Sequence, residues 1–210
     1  MTAPRRFGTE TSKTRSVLLD VTEQLMLEEG YAAVSSRRVA AKAGVKAPLV
    51  HYYFRTLDDL FIAVYRRRTE RNLEWLAEVL QQTDQPLWTI WEYSSDKTGT
   101  AITQEFIALA NHRKAIRAEI AQTAERLREI QRAAVSGLLA SYGLDADLVA
   151  PAALLLVMAA VPRVVVIEET LGITTGHAEV TALVEHYLTQ WEGPRTTTAT
   201  KRARKKRQPA

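Results

Sequence analysis

The stretch from Ser36 to Phe54, SRRVAAKAGVKAPLVHYYF, constrains the fold more than any other, because it has room for two short helices and a turn and for little else. Val39, Ala40 and Ala43 recur at i, i+1 and i+4, so they line one small apolar face of a helix whose outer face carries Arg37, Arg38 and Lys42. Ser35 or Ser36 can cap its start, and Gly44 supplies the left-handed backbone that ends a helix abruptly. Pro48 suits the first turn of a second helix, where its missing N–H costs nothing, and Val45, Val50 and Phe54 then point back to the first. Lys46, Leu49, His51, Tyr52 and Tyr53 are left facing outward or sideways. This is helix-turn-helix geometry, which lays its second helix in the major groove of DNA. The plain alternative is a helical corner that keeps its aromatics in a core.

Charge divides the chain of 210 residues into three parts. Residues 1–70 hold 12 Lys/Arg against 8 Asp/Glu, 71–192 hold 9 against 16, and 193–210 hold 7 against 0, giving +4, −7 and +7. Nucleic acid therefore suits the two ends, not the middle. There is no cysteine, so no disulfide framework or thiolate site is available. MTAPRRFGTETSKTR lacks the apolar stretch of a secretory signal, so a cytoplasmic location is expected.

Residues 1–11 read as a flexible basic arm with Arg5 and Arg6. A first helix from Ser12 or Thr14 carries Val17, Leu18, Val21, Leu25 and Met26 as its apolar stripe and stops at Gly30. A longer helix from Leu57 to about Gln82 turns Leu60, Phe61, Val64 and Tyr65 toward the head and Leu73, Leu76, Val79 and Leu80 toward a body. It thus belongs to both parts and is a natural lever between them. Arg66, Arg67, Arg68 and Arg71 crowd its middle, as a solvated face or as a docking surface.

Further along, Trp88, Trp91 and Tyr93 are either core or the wall of a pocket, followed by SSDKTGT as a loop and a helix marked by Ile102, Phe106 and Leu109. Arg113 to Tyr142 reads as one long helix closed by Gly143, with Gly137 marking a close contact. LVAPAALLLVMAAVPRVVVI, from Leu148 to Ile167, is apolar all round; Pro151, Pro162 and Arg163 interrupt it and argue against a membrane span. Asp147 would cap it, Pro162 kink it and Gly172 end it. A last helix from His177 to Trp191 follows, and 193–210 reads as a disordered basic tail.

AGVKAPLVHYYFRTLDDLFIAV resembles the signature of the TetR family of bacterial transcriptional repressors, over about residues 12–65. The resemblance implies an all-α fold: a three-helix helix-turn-helix domain over 12–56 and a helical ligand-binding and dimerisation domain over 57–192. It implies phosphate and base-edge contacts from Ser36, Arg37 and Arg38, base reading from Lys46, Ala47, Pro48, Leu49 and His51, and phosphate contacts from Tyr52, Tyr53 and Thr56. His51, Tyr53 and Leu57 stand where the family more often has tyrosine, histidine and lysine, so its base preferences do not transfer. The resemblance further implies a homodimer through the helices near 148–171 and 177–191, a palindromic operator on double-stranded DNA, and a small-molecule effector. Trp88, Trp91, Phe106, His112 and Met158 are the candidate lining for that effector.

Two other classes compete. The tail alone could drive nonspecific DNA binding. A helical enzyme is the other, but the four histidines form no metal-spacing pair and no nucleophile elbow or phosphate loop is present, so no catalytic residue, metal or cofactor is expected.

Overall fold

The computed structural model describes residues 12–145 and 149–196, and every regular element among them is helical. They are α1 (Lys13–Glu29), α2 (Ser36–Lys42), α3 (Ala47–Tyr53), α4 (Leu57–Gln82), α5 (Pro86–Ser94), α6 (Lys97–Ala110), α7 (Lys114–Val135), α8 (Pro151–Thr170) and α9 (His177–Glu192). The expected arm at 1–11, the Asp147 cap and the tail from 197 onward lie outside the described residues. The chain packs as two compact units. One comprises the described residues up to Glu70 with Ala101–Gln122, the other Arg71–Thr100 with the described residues from Thr123. Helices α4, α6 and α7 each contribute to both.

In the first unit α1 buries Leu18, Leu19, Leu25 and Met26, with Thr22 between them returning its hydroxyl to the Leu18 carbonyl at 2.7 Å. The expected stripe is rotated slightly: Val17 is 37% exposed and Leu19 is buried instead. The face centred on Leu18, Thr22 and Leu25 leaves Val17 at its edge. Val39, Val50, Phe54, Leu60, Val64 and Phe106 close the same core. The Arg66–Arg68 run docks within this unit. Arg66 forks onto Glu119 of α7 at 2.8 and 2.6 Å, Arg67 pairs with Asp20 of α1 at 2.7 Å, and Arg68 pairs with Glu23.

The second unit is built on Leu76, Leu87, Ile90, Val135, Leu155 and Met158. α5 is a nine-residue helix dense in apolar residues, and its buried Pro86 opens it. Glu192, the last residue of α9, supplies the missing cap: its two carboxylate oxygens accept the Leu87 and Trp88 N–H groups, each at 2.9 Å. The Tyr142 hydroxyl donates to the same carboxylate at 2.8 Å, and the Trp88 indole donates to the Gly193 carbonyl at 3.1 Å. Burial pushes the Glu192 carboxyl above the ordinary range, and the donors from Leu87, Trp88 and Tyr142 offset part of that rise. The expected tail is anchored where it begins, since Gln85 Oε1 accepts the Thr196 N–H at 2.9 Å.

Three boundaries differ from the sequence reading. Lys97–Thr100, expected in a loop, form the first turn of α6, with Asp96 at the position that precedes it and its Oδ2 only 2.8 Å from where a Cβ on Gly99 would lie. The helix expected to run to Tyr142 ends at Val135, where Ser136 returns its hydroxyl to the Arg132 carbonyl at 2.7 Å; a 3-10 turn over Leu139–Tyr142 follows. No atom lies within 4 Å of where a Cβ on Gly137 would stand, so that glycine marks no close contact. α8 runs through Pro162 and opens at Pro151 after Ala150.

Candidate nucleic-acid interface

Local chemistry positions the two short helices. Ser35, in extended backbone, caps α2 by accepting the Arg38 N–H at 3.3 Å. Gly44 then takes φ +67°, which an L side chain adopts only at a cost of roughly 1–2 kcal/mol, and the Val45 N–H bonds back to the Ala40 carbonyl at 2.9 Å. Beyond this turn Lys46 precedes α3, with proline in the helix's first turn. Val50 and Phe54 are 1% and 3% exposed, which fixes the inward face of α3.

The outward face follows from that registration. Lys46, Pro48, His51 and Tyr52 are exposed, while Ala47, Leu49 and Tyr53 are half-buried. Tyr53 does not simply face out, since its hydroxyl shares a 2.8 Å hydrogen bond with Ser12 Oγ ahead of α1. Its ring stands edge-on to Tyr52 with centroids 5.1 Å apart. The Arg15 guanidinium lies 5.2 Å from the centre of the Phe54 ring.

On α2, Ser36 is half-buried and Arg37 is exposed with no ion pair or hydrogen bond among the described residues. Arg38 is engaged: one of its nitrogens donates to both Glu29 oxygens at 2.5 and 2.7 Å. Lys42 pairs with Glu28 at 2.6 Å. Lys42 and then Gln24 hold the Glu28 carboxyl below the ordinary range by hydrogen bonding. Thr56 is engaged as well. It accepts the Asp59 N–H and donates its own N–H to Asp59, both at 3.0 Å, a reciprocal capping box at the start of α4. The spacing Thr56-Leu57-Asp58-Asp59 carried that signal in the sequence. A further contact carried none: Glu105 of α6 accepts the Tyr31 N–H at 2.6 Å, just past the end of α1.

The model of the bacterial regulatory proteins of the tetR family matches residues 18–64, which run from within α1 to the first turns of α4 and so include both short helices and the Gly44 turn. Over residues 18–64 the chain carries the DNA-binding part of the tetR family of bacterial regulatory proteins. Solved structures agree in fold. A TetR transcription regulator from Haloarcula marismortui is 19% identical with a TM-score of 0.67, over 85% of this chain and 97% of its own. A TetR-family member from Streptomyces coelicolor A3 is 22% identical with a TM-score of 0.60, over 88% and 100%. The regulator FadR from Bacillus subtilis, in complex with stearoyl-CoA, is 16% identical with a TM-score of 0.61, over 86% and 99%. TetR-family regulators are non-enzymatic, and they bind DNA and small-molecule effectors.

The residues expected to line an effector site are divided between the two units. Trp88, Trp91 and Met158 share the core of the second unit. Phe106 is 1% exposed in the core of the first unit, edge-on to Tyr65 with centroids 5.0 Å apart, and His112 is exposed beyond the end of α6.

Proposed function

We propose that this regulator is a ligand-responsive repressor that acts in the cytoplasm and binds a palindromic operator as a homodimer. The observation that carries the reading is the exposed face of α3: Lys46, Pro48, His51 and Tyr52 stand outward while Val50 and Phe54 lock the helix behind them. Pro48 and Leu49 suit thymine methyls, His51 can donate to or accept from a base edge, and Ala47 lets the backbone approach. Ser36, Arg37 and Tyr52 flank this face as phosphate contacts.

Dimerisation rests on a second observation. α8 is long and apolar enough to cross a membrane by length and composition, yet only 22% of its most apolar window is buried. Leu155, Met158, Pro162 and Val166 face its own unit, and Leu156, Val157, Val164, Ile167 and Leu171 lie exposed on the opposite side. On α9, Leu183 and Tyr187 are exposed at 55% and 45%. Apolar area of this kind, on two adjacent helices, suits a second copy across a two-fold axis. That symmetry sets two α3 helices about 34–36 Å apart.

An effector with a large apolar part fits the aromatic second unit, where Trp75, Trp88, Trp91 and Tyr93 gather; the FadR relative and its stearoyl-CoA make an acyl thioester the first compound to try. Selection of bound duplexes from a random pool tests the whole reading. A palindromic motif weakened by His51→Ala and Arg37→Ala is expected, and recovery of random sequences by the intact protein would overturn it.

A further inference from the structure

α2 presents three cations, and they have different neighbours. The Arg38 fork is turned toward the end of α1, where one nitrogen meets both Glu29 oxygens at 2.5 and 2.7 Å and the other reaches the Ala33 carbonyl at 3.4 Å. One turn along the same face, Lys42 reaches Glu28 at 2.6 Å, and the other Glu28 oxygen takes the Gln24 amide at 2.7 Å. Two adjacent carboxylates at the end of α1 therefore hold two cations spaced i, i+4 on α2. Arg37, the residue before Arg38, stands exposed.

We infer that Arg38 and Lys42 are positioning residues, which act through Glu29 and Glu28 to set the angle at which α2 leaves α1, while Arg37 supplies the α2 charge that reaches phosphate. This rests on the proposed reading of α3 as the DNA-contacting helix, since α2 carries α3 across the Gly44 turn. The charge balance supports it. An arginine paired to a carboxylate is a neutral unit that displaces no counterion from DNA. For Arg38 to take a phosphate it must release Glu29, which then faces a polyanion without a partner. The pairs are exposed and individually weak as sources of stability. Their effect is directional, because two rungs on one face of a short helix fix its rotation where one rung does not.

The test uses the full-length protein and a duplex recovered by selection from a random pool, with affinity measured across a salt series. Arg37→Gln should lower the slope of log K against log salt by about one, the share of one phosphate contact. Arg38→Gln should weaken binding by about three- to tenfold with the slope unchanged, a loss on the scale of a misplaced rather than a missing contact. The charge-swapped pair Glu29→Arg with Arg38→Glu should return affinity to near the wild-type value. A slope reduced by about one in Arg38→Gln, or tighter binding in Glu29→Gln, would instead mark Arg38 as a phosphate contact with Glu29 as its competitor. So would a swapped pair that folds, by circular dichroism, yet stays weak. If no sequence is enriched, the operator reading fails; slopes measured on a random-sequence duplex then still decide the role of Arg38.

Discussion

Glu105 and Tyr31, 74 residues apart, meet through a 2.6 Å hydrogen bond from the Tyr31 backbone N–H to the Glu105 carboxylate. One side chain on α6 thereby holds the short connection between α1 and α2, and it is also the nearest group to Gly30, 3.4 Å from where a Cβ would stand. Removing the acceptor leaves a part-buried N–H without a partner, which costs about 1–3 kcal/mol. Glu105→Ala should therefore lower the urea midpoint and weaken operator binding together, with Glu105→Gln intermediate because a neutral acceptor remains. Equal midpoints for wild type and Glu105→Ala would remove the contact from any role in the reader.

The capping box gives a cleaner test of local stability. Thr56 and Asp59 exchange two 3.0 Å hydrogen bonds at the start of α4, and Thr56→Ala removes the one that the Asp59 N–H donates to the Thr56 hydroxyl while keeping the one from the residue-56 N–H to the Asp59 carboxylate. A loss of about 1 kcal/mol is expected in denaturant titrations, typical of an N-cap, with Thr56→Ser close to wild type. Loss of DNA affinity larger than the loss of stability explains, with the salt slope reduced, would mark Thr56 as a phosphate contact as well.

What could be read from sequence follows distance along the chain. The reader was legible because its determinants are local: Gly44 dictates the turn, Pro48 opens the next helix, and Val50 and Phe54 keep helical period. The start of α6 was hidden, because Thr98, Gly99 and Thr100 have the composition of a loop and only the preceding Asp96 marks a cap. The functional residues suffer in the same way. Arg38 and Thr56 are expected phosphate contacts by type and position, and what the sequence hid is that Glu29 and Asp59 are their partners in the folded chain. Phe106 and His112, six residues apart, fall in a core and in solvent, since a helix end lies between them.

Glu192 makes the second unit sensitive to acid in a definite direction. Burial raises its carboxyl above the ordinary value of 4.5, with the donors from Leu87, Trp88 and Tyr142 offsetting part of the rise. Between 4.5 and that raised value the folded chain binds more protons at this site than the unfolded chain, so its contribution to stability falls as pH rises through the window and is fully recovered below it. Glu192→Gln cannot titrate, and the other carboxylates cancel in the comparison. Wild type should therefore gain stability relative to Glu192→Gln as pH is lowered from 7 toward 4.5, read from paired urea titrations. A relative loss over that range would mean that the three hydrogen bonds outweigh burial and favour the ionised form.

The exposed face of α8 and α9 separates assembly from folding. Leu156 and Leu183 are 52% and 55% exposed, so a charge at either is solvated in a single subunit and costs that subunit little. At a two-fold interface the same charge meets its own copy or an apolar neighbour and is desolvated. Leu156→Glu combined with Leu183→Glu should give a folded monomer in sedimentation, with a helical spectrum like that of wild type. Its affinity for a full palindrome should fall at least about tenfold and approach that for a half-site, since the second recognition helix no longer binds as an intramolecular event. A variant that remains a dimer with undiminished preference for the full site would place the interface elsewhere on the chain.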